Sequence, residues 1–161
     1  MRILKSVLNV NFGIIFFCFF YKGLLPGLYC QHDTILIKSC INQMFTGMSS
    51  FDSSLVHQTF ANGFILKSSV TSKTGETHLK EESGENFLKI IGTKKPGLKY
   101  DERLLSFTIM IDGDMAIVWT PYHFYLNDIF SHCGVNAFTL IKLHGTWKIL
   151  SITDTRRNSD C

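Results

Sequence analysis

Three tight turns near the C-terminus restrict this chain more than any other feature. Asp112-Gly113, Asn127-Asp128 and His144-Gly145 each separate segments rich in β-branched and aromatic residues. Two-residue connections need positive φ, which Gly, Asn and Asp tolerate, and they join strands that lie side by side and antiparallel. Residues 104–111, 115–126, 129–143 and 146–154 are therefore expected to form a four-stranded antiparallel meander.

Upstream the apolar period changes from two to that of a helix. Ile37, Ile41, Met44, Phe45 and Met48 make one stripe, predicting a helix over 33–48 with Asp33 as its cap. A second short helix is expected at 52–60, capped by Asp52, with Leu55, Val56 and Phe60 inward. A third runs from Ser83 to Ile91, with Phe87, Leu88 and Ile91 on one side. Residues 63–70 read as a strand that turns at 71–76 and returns through 77–80. Helices followed by a long sheet indicate an α+β domain with helices over one sheet face.

The excess positive charge is local. Arg2, Lys5 and Lys22 supply the whole net +3, and the remaining 13 basic residues balance 13 acidic ones. The domain thus lacks the basic footprint of a nucleic-acid binder. Arg2 and Lys5 precede the apolar run from Phe12 to Tyr21, too short to span a bilayer and of signal-peptide length. Residues 1–29 are read as a leader and 33–161 as the domain, giving an exported protein, periplasmic or secreted. Contact with a membrane is expected only through the leader or a lipid anchor at Cys30. Export permits disulfides, and Cys133 with Cys161 is the pair to test. The alternative is three unpaired thiols, with Cys40 on a helix.

Strand counting from the turns assigns the sheet faces. If Leu126 opposes Ile129, His123 opposes His132 and Trp119 opposes Asn136; the next hairpin sets Asn136 against Thr153 and Phe138 against Ser151. One face then collects Trp119, His123, His132, Asn136, Phe138, Ser151 and Thr153, apolar walls with sparse polar groups, as in a ligand cavity. Val118, Thr120, Tyr122, Cys133, Lys148 and Asp154 fall on the other face. A one-residue bulge, for which Pro121 is a candidate, would exchange the faces.

These residues carry a family resemblance. Trp119-Thr-Pro-Tyr122 with Phe124, Ser131-His-Cys-Gly134 with Phe138, Trp147-Lys-Ile149 and Asp154-Thr-Arg-Arg157 resemble the nuclear transport factor 2-like (NTF2-like, SnoaL-like) superfamily. Within it they resemble the small bacterial proteins labelled lumazine-binding, over residues 33–161. The resemblance implies a cone: a curved antiparallel sheet wrapped by three N-terminal helices, with a pocket between them and a homodimer through the outer sheet face. Superfamily members include ketosteroid isomerases, polyketide cyclases, dehydratases and proteins that only bind or scaffold, so the fold alone does not assign a function.

His132 is the first choice for acid–base work, because imidazole titrates near neutrality; a structural histidine bonded to a neighbouring strand is the plainer reading. Trp119 and Tyr122 read as wall aromatics, with the Tyr122 hydroxyl a further donor. His123 and His132 lack a third ligand, so no metal is expected, and no motif calls for a cofactor. Asp154 points away from the pocket in this register and is expected to pair with Arg156 or Arg157. The two arginines would suit an anionic ligand, though such pairs are more often solvated or salt-bridged. No acidic residue falls on the pocket face, which counts against an isomerase or dehydratase with His132 as base. The leading expectation is a domain that binds a small apolar or aromatic molecule. A protein-interaction scaffold is the third reading.

Overall fold

A computed structural model describes residues 26–72, 74–93 and 97–161, with the backbone alone for 26–30. The leader up to residue 25 and the side chain of Cys30 lie outside the described residues. The elements are α1 (Pro26–Ser50), α2 (Ser53–His57), β1 (Phe60–Thr71), β2 (Thr77–Ser83), α3 (Gly84–Gly92), β3 (Tyr100–Leu104), β4 (Thr108–Asp112), β5 (Met115–Leu126), β6 (Ile129–Leu143) and β7 (Thr146–Arg156). Two helices precede the sheet, not three: α3 is inserted between β2 and β3.

The stripe expected on α1 is the core. Ile37 and Ile41 are fully buried and Met44 nearly so, in one cluster with Phe138, Leu140 and Ile149 of the sheet. Complete burial of each such side chain contributes about 1.5–3 kcal/mol. The helix begins at Pro26, so Asp33 is not a cap. Its carboxylate instead accepts from Trp147 Nε1 at 2.9 Å and Lys142 Nζ at 2.7 Å, tying α1 to the meander. The Lys142 bond, then the Trp147 bond, hold the Asp33 carboxyl below its usual range. Asp52 and Ser83 do cap α2 and α3, accepting from Leu55 N at 2.9 Å and Asn86 N at 3.2 Å.

The meander forms as the turns require. Asn127 and Asp128 have φ of 51° and 64°, and His144 and Gly145 have φ of 49° and 79°. In the first hairpin Asp112 pairs with Met115, and Gly113 takes the positive φ of 56°. The strand expected over 104–111 is divided into β3 and β4, which pair with opposite ends of β5. Pro121 explains the break. Its carbonyl accepts from Leu105 N at 2.9 Å, and the N–H it lacks would have faced the same edge. At the other side β1 runs parallel to β7 and antiparallel to β2. The order is β2-β1-β7-β6-β5-β3, a curved and unclosed sheet.

Two one-residue bulges overturn the expected face assignment. Leu126 does oppose Ile129, but Tyr125 pairs with Phe130 and Phe124 with His132, leaving Ser131 as the extra residue. Leu140 does oppose Ile149, but Thr139 pairs with Ser151, leaving Leu150 extra. Each bulge shifts the count by one and so exchanges faces. His123 therefore opposes Cys133 rather than His132, Trp119 opposes Ala137, Asn136 opposes Asp154 and Phe138 opposes Ile152.

Cys133 and Cys161 form a disulfide with Cα atoms 5.9 Å apart, while Cys40 is free. Backbone bonds of 2.9 Å in both directions between Cys133 and Arg157 support the bridge. Closing this loop constrains the unfolded chain, and reduction is expected to cost about 2 kcal/mol. Urea denaturation with and without dithiothreitol measures it; equal midpoints would refute a stabilising bridge. Among the described residues no helix is long and apolar enough to cross a membrane.

Candidate functional site

A cavity of about 210 Å³ opens between α1, α3 and the concave sheet face. Met44, Phe45 and Met48 of α1 and Phe87, Ile90 and Ile91 of α3 supply an apolar wall. Opposite stand Tyr122 and Phe124 of β5, His132 and Asn136 of β6, and Ile152, Asp154 and Arg156 of β7, with Glu102 of β3 at the side.

Asp154 is the hub of the polar end. Its residue is 8% exposed. Oδ1 accepts from Ser68 Oγ at 2.5 Å, and Oδ2 accepts from Arg156 Nε at 2.7 Å and from the Tyr122 hydroxyl at 3.3 Å. Arg156 also donates to Ser68 Oγ at 3.2 Å. The Tyr122 hydroxyl lies 3.0 Å from the Thr155 carbonyl as well. Gly134 makes that arrangement possible, since a Cβ there would sit 1.8 Å from Thr155 O and 2.9 Å from the Tyr122 ring. Val135 N, in turn, donates to Thr155 Oγ1 at 3.1 Å. Burial, then the charges of Asp154 and Glu102, push the Tyr122 hydroxyl well above the ordinary phenol value. It stays protonated and donates.

A second carboxyl faces the same space. Asn136 Nδ2 donates to Glu102 Oε1 at 2.7 Å. Burial pushes the Glu102 carboxyl up to about 7, with the Asp154 charge adding and the Asn136 bond and Arg156 charge opposing. His132 packs edge-on to Tyr122, ring centroids 5.8 Å apart, and its Nδ1 lies 3.1 Å from Ser131 Oγ. Burial first, and the Arg156 charge second, lower its pKa, so the imidazole is neutral at neutral pH. The site thus holds a carboxyl poised near neutrality, a neutral imidazole, a protonated phenol and an amide, groups suited to orienting a ligand and moving a proton.

No family model matches the sequence, and no curated protein matches it. Solved structures do. One is a protein of unknown function from Mycobacterium tuberculosis, with TM-score 0.67 and 11% identity, over 84% of this chain and 78% of that one. Another is an NTF2-like protein with a cystatin-like fold from Novosphingobium aromaticivorans, with TM-score 0.63, 12% identity and coverage of 84% and 88%. A candidate dehydratase from the NTF2-like family of Streptomyces avermitilis matches with TM-score 0.62, 10% identity and coverage of 81% and 99%. The fold is NTF2-like.

The NTF2-like cone brings only part of the expected residue set together. His132 and Asn136 line the cavity, as does Tyr122, which the strand count places on the outer face, and Phe138 lies fully buried in the core on the cavity face. Trp119 is turned outward and 52% exposed; Ser151 and Thr153 are also outside, and His123 shares the outer face with Cys133, packed edge-on to Phe130. His123 and His132 therefore cannot share a metal. Asp154 pairs with Arg156 as expected, but inside the cavity and not on the outer face. Sequence reasoning missed Glu102 and Ser68. Glu102 had a signal: Tyr100 and Leu104 flank it at the period of a strand, so an inward face would carry the acid too. Ser68 had none, because its partner is set by the parallel pairing of β1 with β7. Cys40 is not a reactive centre: its thiol donates to Trp147 O at 3.4 Å, and burial pushes it up to about 11.

Proposed function

We propose that this NTF2-like domain binds a small, largely apolar or aromatic molecule in the cone. The observation that carries the reading is the cavity's division into an apolar helical wall and a polar end gathered around Asp154. Such a division fixes orientation as well as affinity. Thermal shift against a panel of aromatic and bicyclic compounds tests it, with lumazine included because of the subfamily resemblance. Ligand at a hundred times its Kd is expected to add about 2.7 kcal/mol of stability. Met48→Trp, which fills the cavity from α1, is expected to abolish the shift. Absence of stabilisation by every compound, or an undiminished shift in that variant, would refute the reading.

A second reading, proton transfer of the isomerase or dehydratase type, is favoured by the Glu102 carboxyl near 7. That group is better suited as the base than its neighbour His132, whose burial disfavours the imidazolium that proton abstraction would create. Once a substrate is found, Glu102→Gln should abolish turnover and His132→Gln should not.

Export to the periplasm or beyond belongs to the same proposal, supported by the basic and apolar N-terminus and by a disulfide suited to an oxidising compartment. A homodimer through the outer sheet face is supported by exposed Met110, Ile117 and Trp119, with Met110 and Ile117 directly paired across β4 and β5.

A further inference from the structure

The concave cavity does not end at Arg156. A second, wider cleft of about 530 Å³ lies beyond it, between the end of β1, the start of β6 and the tail that follows β7. His132 and Arg156 line both spaces, so the two are neighbours through those side chains. Their electrostatics are opposite. The inner cavity carries the carboxyls of Asp154 and Glu102. The cleft is lined by Arg156 and Arg157 and by hydroxyl residues such as Ser72 and Ser131; none of the described residues lining it bears a carboxylate, and the one on the neighbouring tail, that of Asp160, accepts from Ser159 Oγ at 3.4 Å.

We infer that this cleft is a subsite for an oxyanion group, a carboxylate or phosphate, attached to the apolar ligand, and this inference rests on the reading of the cone as a small-molecule site. An anion placed deep in the cavity would meet two carboxyls, whereas one placed past Arg156 meets donors. Arg156 spends Nε on Asp154 and one Nη2 bond on Ser68, and its side chain is 48% exposed, leaving donors toward the cleft. Arg157 donates from Nε to the Asp160 carbonyl at 3.1 Å, and among the described residues no carboxylate lies within ion-pair distance of it. Its charge is open to a ligand, and guanidinium matches the geometry of an oxyanion. The disulfide fixes the wall: Cys161, bound to Cys133, holds Asn158 and Ser159 at the cleft. The ligand class is therefore an aromatic or apolar acid, body in the cone and anion in the cleft.

Titration calorimetry with 2-naphthoate and its neutral isostere 2-naphthamide tests this at low salt. The carboxylate is expected to bind about tenfold tighter than the amide, an advantage that shrinks at high salt as screening requires. Arg157→Gln, an exposed position, should lower naphthoate affinity about fivefold and leave naphthamide affinity unchanged. Reduction of the disulfide should act in the same direction on naphthoate. Naphthamide binding as tightly as naphthoate, or Arg157→Gln weakening both alike, overturns the anion subsite while the small-molecule reading stands. Binding of neither overturns both.

Discussion

Gly134→Ala is expected to lower stability by about 4 kcal/mol, the loss read as a shift of the urea midpoint at unchanged slope. Overpacking of an interior by one methyl costs about 1–3 kcal/mol and sometimes more. Here the added Cβ would lie 1.8 Å from a backbone oxygen, that of Thr155, which cannot swing aside as a side-chain tip does. Moving Thr155 also breaks the bonds its carbonyl and hydroxyl make with Tyr122 and Val135, each contributing about 1 kcal/mol. Alanine restricts the unfolded chain, which offsets only about 0.4–1 kcal/mol. The same displacement takes the Tyr122 hydroxyl away from Asp154, so a folded Gly134→Ala should also bind naphthamide less tightly. A loss below about 1 kcal/mol would mean that β6 and β7 are not in this contact.

Glu102→Gln is expected to raise stability at pH 8 by up to about 3 kcal/mol while leaving it unchanged near pH 4. The carboxyl is pushed by burial from 4.5 to about 7 in the folded protein. Between those values the folded state holds a proton that the unfolded state has lost. Stability therefore falls as pH rises through this window, and the loss is complete above the folded value. Gln keeps an oxygen to accept the Asn136 bond and has no charge to desolvate. His132 works in the opposite direction: its lowered pKa means that stability rises with pH up to the unfolded histidine value. Subtracting the Glu102→Gln curve from that of the unaltered protein removes the His132 contribution common to both. A difference that does not change between pH 4 and 8 would show a solvated carboxyl, and with it the proton-transfer reading would lose its base.

Two insertions in the ladder separate the expected pocket residues from the observed ones. Counting from the turns is sound where it starts: Leu126 opposes Ile129, and Leu140 opposes Ile149. It fails past Ser131 and Leu150, and the error is total because the side-chain period is two. That is why Trp119, His123, Ser151 and Thr153 are on the outside, and why Asp154, which the count places on the outer face, is the hub of the pocket. Pro121 is a candidate for a bulge by sequence, but its effect falls on the β3–β4 edge. Nothing in Phe130-Ser-His or Ile149-Leu-Ser announces an extra residue.

Local chemistry alone determined the hairpin turns, the apolar stripe of α1, the Asp52 and Ser83 caps and the class of the fold. Each rests on φ preferences, side-chain period or a bond spanning three residues, all of which neighbours in the chain decide. The Ser68–Asp154 pair, the Glu102–Asn136 contact and the step from cavity to cleft at Arg156 needed the tertiary structure. They join residues 86 and 34 positions apart, and which of them meet depends on bulges and a parallel strand pairing that only the packed sheet selects. A shift of one residue in β6 or β7 costs little locally, yet it decides which side chains face the ligand.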